Sequence, residues 1–330
     1  MCERASRLHS TAIAAAFVGI VIIPQSTLAQ NIVAAIEAAH GETCEAAQPF
    51  YWEIGAASGG PIVSGQVGGT AYARDTVIPV ASASKWIFGA YVVERYGGIP
   101  GGTAGATIVS SLNMLEGHTQ FSPQLCVALL RVQRCHTILN NDTVDGTKVG
   151  YFNYNGGDGQ YAAADDTLLD LGNKTKSTLL AEVNSYLNLH SSFSYQTPGV
   201  AGGLEASAEG WAHFLQKLMD GTYEMSDYLG DSPVDTVCAN CASPMGSVNM
   251  HYSLYHWVED QTEGELMGGA ELAPGDGAFS SAGAFGFYPW ISADQAYYGI
   301  ISRVAVPSED SYPHEDSLVC GQAVRAAFLD

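Results

Sequence analysis

Val80-Ala81-Ser82-Ala83-Ser84-Lys85-Trp86-Ile87-Phe88-Gly89-Ala90 sets a serine one helical turn before one of only five lysines in the chain. The apolar run that follows predicts a helix opened by Ser82, and residues three apart on a helix share a face. Lys85 can then bring its ammonium group back to the Ser82 hydroxyl. A primary alcohol is a weak nucleophile at neutral pH and needs a neighbour to take its proton. A lysine does this only where burial or a second cation lowers its pKa, and the apolar flanks suit such burial. Ser-x-x-Lys also arises by chance, so its weight depends on the rest of the chain.

Arg4 and Arg7 precede an apolar run over residues 12–23 and the small-residue stretch Ser26-Thr27-Leu28-Ala29. That order predicts a secretory leader over residues 1–29, cleaved near Ala29, with an apolar part too short to span a bilayer comfortably. The mature chain, residues 30–330, is therefore expected to be secreted or periplasmic, without stable membrane insertion. Six cysteines follow the leader: Cys44, Cys126, Cys135, Cys238, Cys241 and Cys320. An even number in an exported chain argues for disulfides. Two pairs, Cys126 with Cys135 and Cys238 with Cys241, are close in sequence, which leaves Cys44 with Cys320, although six cysteines allow many connectivities. Cys238-Ala239-Asn240-Cys241 also has the redox spacing Cys-x-x-Cys. A small structural loop is preferred, because no thioredoxin-like strand and helix precede it. No further Cys or His pair at zinc spacing follows, and neither a metal nor another cofactor is expected.

Thirty-four acidic residues against thirteen basic ones give a net charge of -21. This disfavours nucleic acid and anionic membranes as partners. With 47% hydrophobic residues the chain can bury a large core, in one domain or two intimately joined lobes.

Along the mature chain, Ile32, Val33, Ile36 and Ala39 have helical spacing, and residues 50–54 and 62–67 read as a strand pair joined through Ser58-Gly59-Gly60-Pro61. The helix over residues 84–95 ends at Gly97-Gly98, and residues 97–105 form a Gly/Pro-rich loop. From about 107 to 230 the pattern is mainly helical, including residues 125–132, 179–187 and 211–219. Strand-like segments return at residues 252–258, 284–291 and 297–304, with a turn over residues 292–295, before a closing helix over residues 318–329. The expected architecture is α/β of the α+β type: an antiparallel sheet built from both chain ends, flanked by helices, with a mainly helical lobe inserted. The sheet lobe spans about 30–80 and 250–330, and the helical lobe about 81–249. Asn141-Asp142-Thr143 and Asn173-Lys174-Thr175 are glycosylation sequons.

Several stretches in this order resemble the serine β-lactamase and penicillin-binding-protein superfamily, in particular the branch that holds class C β-lactamases, D-amino-acid-releasing peptidases and related esterases. Residues 79–90 look like its nucleophile helix. Ser111-Leu112-Asn113-Met114-Leu115-Glu116-Gly117-His118 is similar to a Leu-Leu-x-x-x-Ser-Gly segment, with Glu116 where serine is usual. Gly202-Gly203-Leu204-Glu205-Ala206-Ser207-Ala208, followed by Trp211-Ala212-His213-Phe214, looks like its Gly-Gly-Leu helix start, and residues 279–288 resemble its third motif.

The resemblance implies a catalytic tyrosine on a loop facing the serine. Tyr151-Phe152-Asn153 fits the literal Tyr-x-Asn pattern, whereas Tyr154-Asn155-Gly156 fits the Tyr-x-Gly of esterase-like members and has the expected phenylalanine two residues before it. Tyr154 is favoured, with Tyr151 as the alternative; its phenol, stabilised as phenolate by Lys85, would shuttle the proton. The third motif departs from the pattern. Where relatives carry Lys-Thr-Gly or His-x-Gly, this chain has Ser281-Ala282-Gly283-Ala284-Phe285-Gly286. The glycines persist and the cation is gone. A backbone N–H of Ala284 could still join that of Ser82 in an oxyanion hole. Ser281, Gly283, Asn155 and Trp86 are expected to contact substrate, while Tyr288, Trp290 and Trp257 are read mostly as core. Losing the cation weakens recognition of a substrate carboxylate. The expected activity is an exported serine hydrolase acting on a small-molecule or polymeric ester or amide, esterase-like. A β-lactamase or D,D-carboxypeptidase, or a non-catalytic binding protein that kept the fold, is the alternative. His118, His213, His251 and His256 are read as structural or surface residues, and no Gly-x-Ser-x-Gly elbow is present.

Overall fold

The computed structural model describes residues 25–308 and 311–330. Most of the leader reading, residues 1–24, lies outside them. The first helix, α1 (Gln25–Ala39), runs through the expected cleavage point at Ala29. Its Ala35 and Ala39 are fully buried, and Leu28 and Ile32 pack against the same core, a spacing of one helix face. The partner of that face is the closing helix. The Asn31 side-chain amide donates to the Phe328 carbonyl at 2.8 Å.

Eight strands form the main sheet, every neighbouring pair antiparallel. In chain order the strands of the molecule are β1 (Phe50–Ala56), β2 (Val63–Val67), β3 (Ile78–Pro79), β4 (Ser194–Tyr195), β5 (Leu204–Ala206), β6 (Val234–Asp235) and β7 (His251–Ser253). They continue with β8 (His256–Glu259), β9 (Gly264–Glu265), β10 (Glu271–Leu272), β11 (Ala278–Ser280), β12 (Tyr288–Ile291) and β13 (Tyr297–Ser302). The main sheet runs β2-β1-β13-β12-β11-β8-β7-β6. Its centre thus pairs the first strand with the last, Trp52 opposite Ile301. This is the sheet assembled from both chain ends that the sequence predicts.

The helices between are α2 (Ser84–Tyr96), α3 (Gly102–Leu112), α4 (Val132–Thr137), α5 (Gly157–Ala164), α6 (Lys176–Leu187) and α7 (Ala208–Met219), and α8 (Pro313–Leu329) closes the chain. One sheet face carries α8, where Gly321 leaves room for Tyr288 and Ile301; a Cβ there would meet Tyr288 at 2.4 Å. The residues of opposite parity, Glu53 and Tyr298, face α7. The fully buried Glu53 accepts from Tyr298 and from Arg74, which also pairs with Glu209 at the start of α7. Among the described residues the disulfides are Cys44–Cys320, Cys126–Cys135 and Cys238–Cys241.

Four local expectations are corrected. Residues 252–258 are not one strand but the hairpin β7–β8, turned by Leu254 and Tyr255, both with positive φ. Residues 125–132 are not a helix. A short turn (Pro123–Leu125) precedes an irregular stretch with Leu129 95% exposed, and the Cys126–Cys135 bond fastens it to α4. Only Tyr288–Ile291 of the segment 284–291 is strand, because residues 283–286 form a turn with Gly286 at φ 95°. The Asn141 sequon is closed to modification, since Asn141 is 1% exposed and its amide bonds Ser122 and Cys135.

A small sheet, β3-β5-β4, does the positioning. It holds the chain directly before Ser82: Val80 N donates to the Leu204 carbonyl at 3.1 Å.

Candidate active site

Ser82 does not open α2 itself. It occupies the short 3-10 turn Ala81–Ala83 that leads into it. Ala81 is left-handed at φ 46°, a conformation that a residue with a side chain holds only where its surroundings enforce it. Ser84 supplies part of the enforcement. Its hydroxyl donates to the Ala81 carbonyl at 2.6 Å and accepts from Leu204 N at 3.2 Å. The serine-to-lysine spacing survives the change of helix type, because both turns return the chain to the same side after three residues.

Lys85 Nζ lies 3.0 Å from Ser82 Oγ and 3.0 Å from the Ala201 carbonyl. The lysine is 3% exposed, and burial alone lowers its pKa to about 7. A group so placed exchanges its proton near neutrality.

Tyr154 stands on the other side of the lysine, with Nζ 4.7 Å from its ring centre. Trp257 stacks on the ring with centroids 5.4 Å apart. Burial pushes the phenol pKa up to about 12, against the opposing effect of hydrogen bonds from Ser82 and Trp257. Desolvation outweighs the nearby donors, so the resting phenol keeps its proton and the lysine is the group able to lose one. Tyr151 is not brought in. It is 42% exposed, and its carbonyl accepts from the Asn153 side chain at 3.0 Å.

The third side is the turn after β11. Gly283 packs so closely that a Cβ would sit 2.2 Å from the Val80 carbonyl oxygen. Its lack of a side chain lets the turn reach the serine, which is a packing role. Ser281 is 2% exposed and its hydroxyl donates to the Ser82 carbonyl at 3.4 Å, so it braces the serine turn instead of facing a ligand. Ala284 is partly exposed beside them.

Two more expectations change. Trp86 is fully buried, stacked on His256 at 5.6 Å and edge-on to Phe214 at 6.2 Å, so it lies beneath the site and lines no cleft. Asn155 is adjacent to Tyr154, but its side-chain Oδ1 accepts from Gly157 N at the start of α5. His256 is structural as read: it is buried, accepts from Gly230 N at 3.0 Å, and burial lowers its pKa to about 3.

Three contributors were not legible beforehand. The Ala201 carbonyl is backbone and leaves no sequence signature. Trp257 reads as one aromatic among many. Asp158 receives the amides of Glu116 and His118 and the His118 ring, tying the loop over residues 116–118 to α5. Its position four residues after Tyr154 was the available signal. Among the described residues no group of three or more His, Cys, Asp or Glu is arranged to hold a metal. None of the described helices is long and apolar enough to cross a membrane.

No family model matches the chain, and no curated protein matches it. Solved structures do. A D-amino acid amidase from Ochrobactrum anthropi superposes with a TM-score of 0.59 at 11% identity, covering 90% of this chain and 99% of that one. A penicillin-binding protein from Bacillus halodurans gives 0.55 at 12%, over 86% and 98% of the two chains. The chain has the fold of the β-lactamases and penicillin-binding proteins. A β-lactamase from Mycobacterium bovis adds a TM-score of 0.52 at 12% identity, over 85% and 96%. Identities this low carry the path of the chain in this fold and nothing of a substrate.

Proposed function

We propose that the chain is a serine hydrolase that forms an acyl-enzyme on Ser82 and acts on a carboxylic ester, or an amide, with an uncharged acyl group. The observation that carries this is the buried Lys85, its Nζ 3.0 Å from Ser82 Oγ and its pKa lowered to about 7 by burial. A base whose pKa matches the working pH combines a usable neutral fraction with a strong pull on the proton.

Neutral Lys85 takes the hydroxyl proton as Ser82 Oγ attacks the carbonyl carbon. Charge gathers on the carbonyl oxygen, toward the proposed oxyanion hole of the Ser82 and Ala284 amides. Tyr154, held as the phenol, gives its proton to the departing oxygen or nitrogen and is reprotonated by the Lys85 ammonium. The bond to the leaving group breaks and acyl-Ser82 remains. Lys85, neutral again, draws a proton from water as it attacks the acyl carbon; the bond to Ser82 Oγ then breaks, the Lys85 ammonium returns the proton to that oxygen, and the acid is freed.

An ester is favoured because Ser281, Ala282 and Gly283 carry no cation for a substrate carboxylate, and a net charge of -21 repels anions. An amidase is the second reading, because the same site would attack an amide carbonyl and the Tyr154 phenol would protonate the amine that leaves. We place the export leader over residues 1–29, consistent with the three cysteine pairs of the chain. The same proposal treats residues 30–330 as one hydrolase domain of two lobes.

Hydrolysis of 4-nitrophenyl acetate, a D-amino acid amide and nitrocefin separates ester, amide and β-lactam activity. Ser82→Ala is expected to abolish turnover at unchanged Tm; undiminished turnover overturns the acyl-enzyme. A wild-type chain that neither turns over nor labels at Ser82 with a fluorophosphonate is a binding protein on this fold.

A further inference from the structure

The Cys-x-x-Cys loop has no part in the chemistry above, yet it touches the tyrosine segment directly. Ala242, the residue after Cys241, lies alongside Asn153 in a parallel bridge. Tyr154 N donates to the Ala242 carbonyl at 2.8 Å, and Ala242 N donates to the Phe152 carbonyl at 2.8 Å. On the other flank of Cys241, the Asn240 carbonyl accepts from the Asn153 side chain at 3.4 Å and from Lys148 Nζ at 2.9 Å. The backbone amide of Tyr154 is therefore held by a strand of chain whose own shape is fixed by the bond from Cys238 to Cys241. A cross-link over so short a loop leaves residues 239–241 few conformations to explore.

The three disulfides differ in access. Cys44, Cys320, Cys126 and Cys135 are each at most 2% exposed, whereas Cys238, Ala239 and Asn240 are exposed and Cys241 is half-buried against the core. Thiol–disulfide exchange requires a thiolate to reach a sulfur in line, so a dithiol in solution meets Cys238 first.

We propose that the Cys238–Cys241 disulfide is a positioning element for Tyr154, and that its reduction by a dithiol slows acyl transfer to Ser82; this rests on the hydrolase reading above. A thiolate of the dithiol attacks Cys238 Sγ and the Cys241 thiolate leaves. The second thiol of the reagent then displaces Cys238 from the mixed disulfide. The reagent closes to a cyclic disulfide, and two electrons and two protons have passed to the cysteines. With the loop open, Ala242 no longer fixes the height of Tyr154 over Lys85.

The test uses the full chain, oxidised and after brief treatment with dithiothreitol, with alkylation and peptide mapping to establish that only Cys238 and Cys241 are free. A Cys238→Ala/Cys241→Ala variant repeats it without reductant. On opening the bond, amide exchange over residues 152–154 should accelerate while that of α2 stays constant. For misplacement of a proton-transferring group, kcat should fall about 10- to 100-fold with KM within about two-fold. The acid limb of the pH–rate profile should also move, because Lys85 loses its cover. Unchanged exchange over residues 152–154, or unchanged kcat, overturns the proposal. So does a lower Tm with kcat and the pH limb intact, the result of a merely stabilising bond. If the oxidised chain shows no turnover and no fluorophosphonate labelling, it is the hydrolase reading that fails, and amide exchange alone then decides whether the disulfide holds Tyr154.

Discussion

Lys85 Nζ lies over the face of Tyr154, 4.7 Å from the ring centre, with the lysine buried and the tyrosine half-buried. Desolvation acts on the two in opposite senses: it disfavours the ammonium and disfavours the phenolate, so it favours neutral lysine beside neutral phenol. In the proposed mechanism the pair is thereby set up with a vacant base and a loaded acid, which is the order that attack by Ser82 and departure of a leaving group would require.

The pH profile follows. Lys85 is protonated below about pH 7 and neutral above it. The value of kcat/KM for an aryl ester should therefore rise through about pH 7 and hold a plateau into the alkaline range, since Tyr154 loses its proton only near 12. Lys85→Arg, which cannot deprotonate, should lower kcat/KM by about 100-fold or more at every pH. A rising limb near the ordinary lysine value would contradict the assignment of the base.

Stability carries the same sign. In the unfolded chain Lys85 binds its proton up to about pH 10.5, and in the folded chain only up to about 7, so between these values the unfolded state binds more protons and stability rises with pH. Lys85→Met removes this dependence. Urea unfolding should find the variant more stable than the wild type by a few kcal/mol at pH 6, with the difference shrinking toward pH 10. A constant difference across that range would place the lysine in water.

Tyr154→Phe keeps the ring against Trp257 and removes the proton. With 5.4 Å stacking retained, Tm should move little, while kcat falls about 100-fold or more. Tyr151→Phe is the control: the residue is 42% exposed, and stopped-flow acylation should be unaltered. Equal losses in both would mean that neither acts through its hydroxyl.

How far the sequence reaches is visible in these residues. Ser82 and Lys85 are neighbours through local geometry, so spacing alone brings them together, and the β1–β2 hairpin is equally local. Trp86 was misplaced because an apolar helix position looks the same whether it faces a cleft or lies on His256. The β7–β8 turn escaped notice because Leu254 and Tyr255 adopt positive φ without the Gly or Asn that would announce it. The direction of the Tyr154 shift depends on how much chain covers the phenol, and the Ala201 carbonyl has no side chain to betray it. Both belong to tertiary packing.

His256 gives an acid test of the floor of the site. Burial lowers its pKa to about 3, below the ordinary value of 6.5, so between those values the unfolded chain binds more protons and stability falls as pH falls. His256→Phe should flatten that slope and keep the stack on Trp86. It should also cost about 1 to 3 kcal/mol at neutral pH, because Gly230 N loses its acceptor. Thermal unfolding from pH 4 to 8 measures both; a variant as acid-sensitive as the wild type would clear His256 of the effect.

Gly283→Ala tests the third side. The added methyl would meet the Val80 carbonyl oxygen at 2.2 Å, a backbone atom pinned through Val80 N to Leu204 and unable to turn aside. Either the turn over residues 283–286 or the Ser82 turn must shift, and a displacement approaching 1 Å at a reacting group lowers turnover by about 100-fold. The expected pattern is a fall in kcat and in fluorophosphonate labelling, with a Tm loss consistent with about 1 to 3 kcal/mol of overpacking. Ser281→Ala, which removes only the 3.4 Å contact to the Ser82 carbonyl, should change kcat far less. If Gly283→Ala labels at the wild-type rate, the turn does not set the position of Ser82, and the Ala284 amide loses its claim to the oxyanion hole.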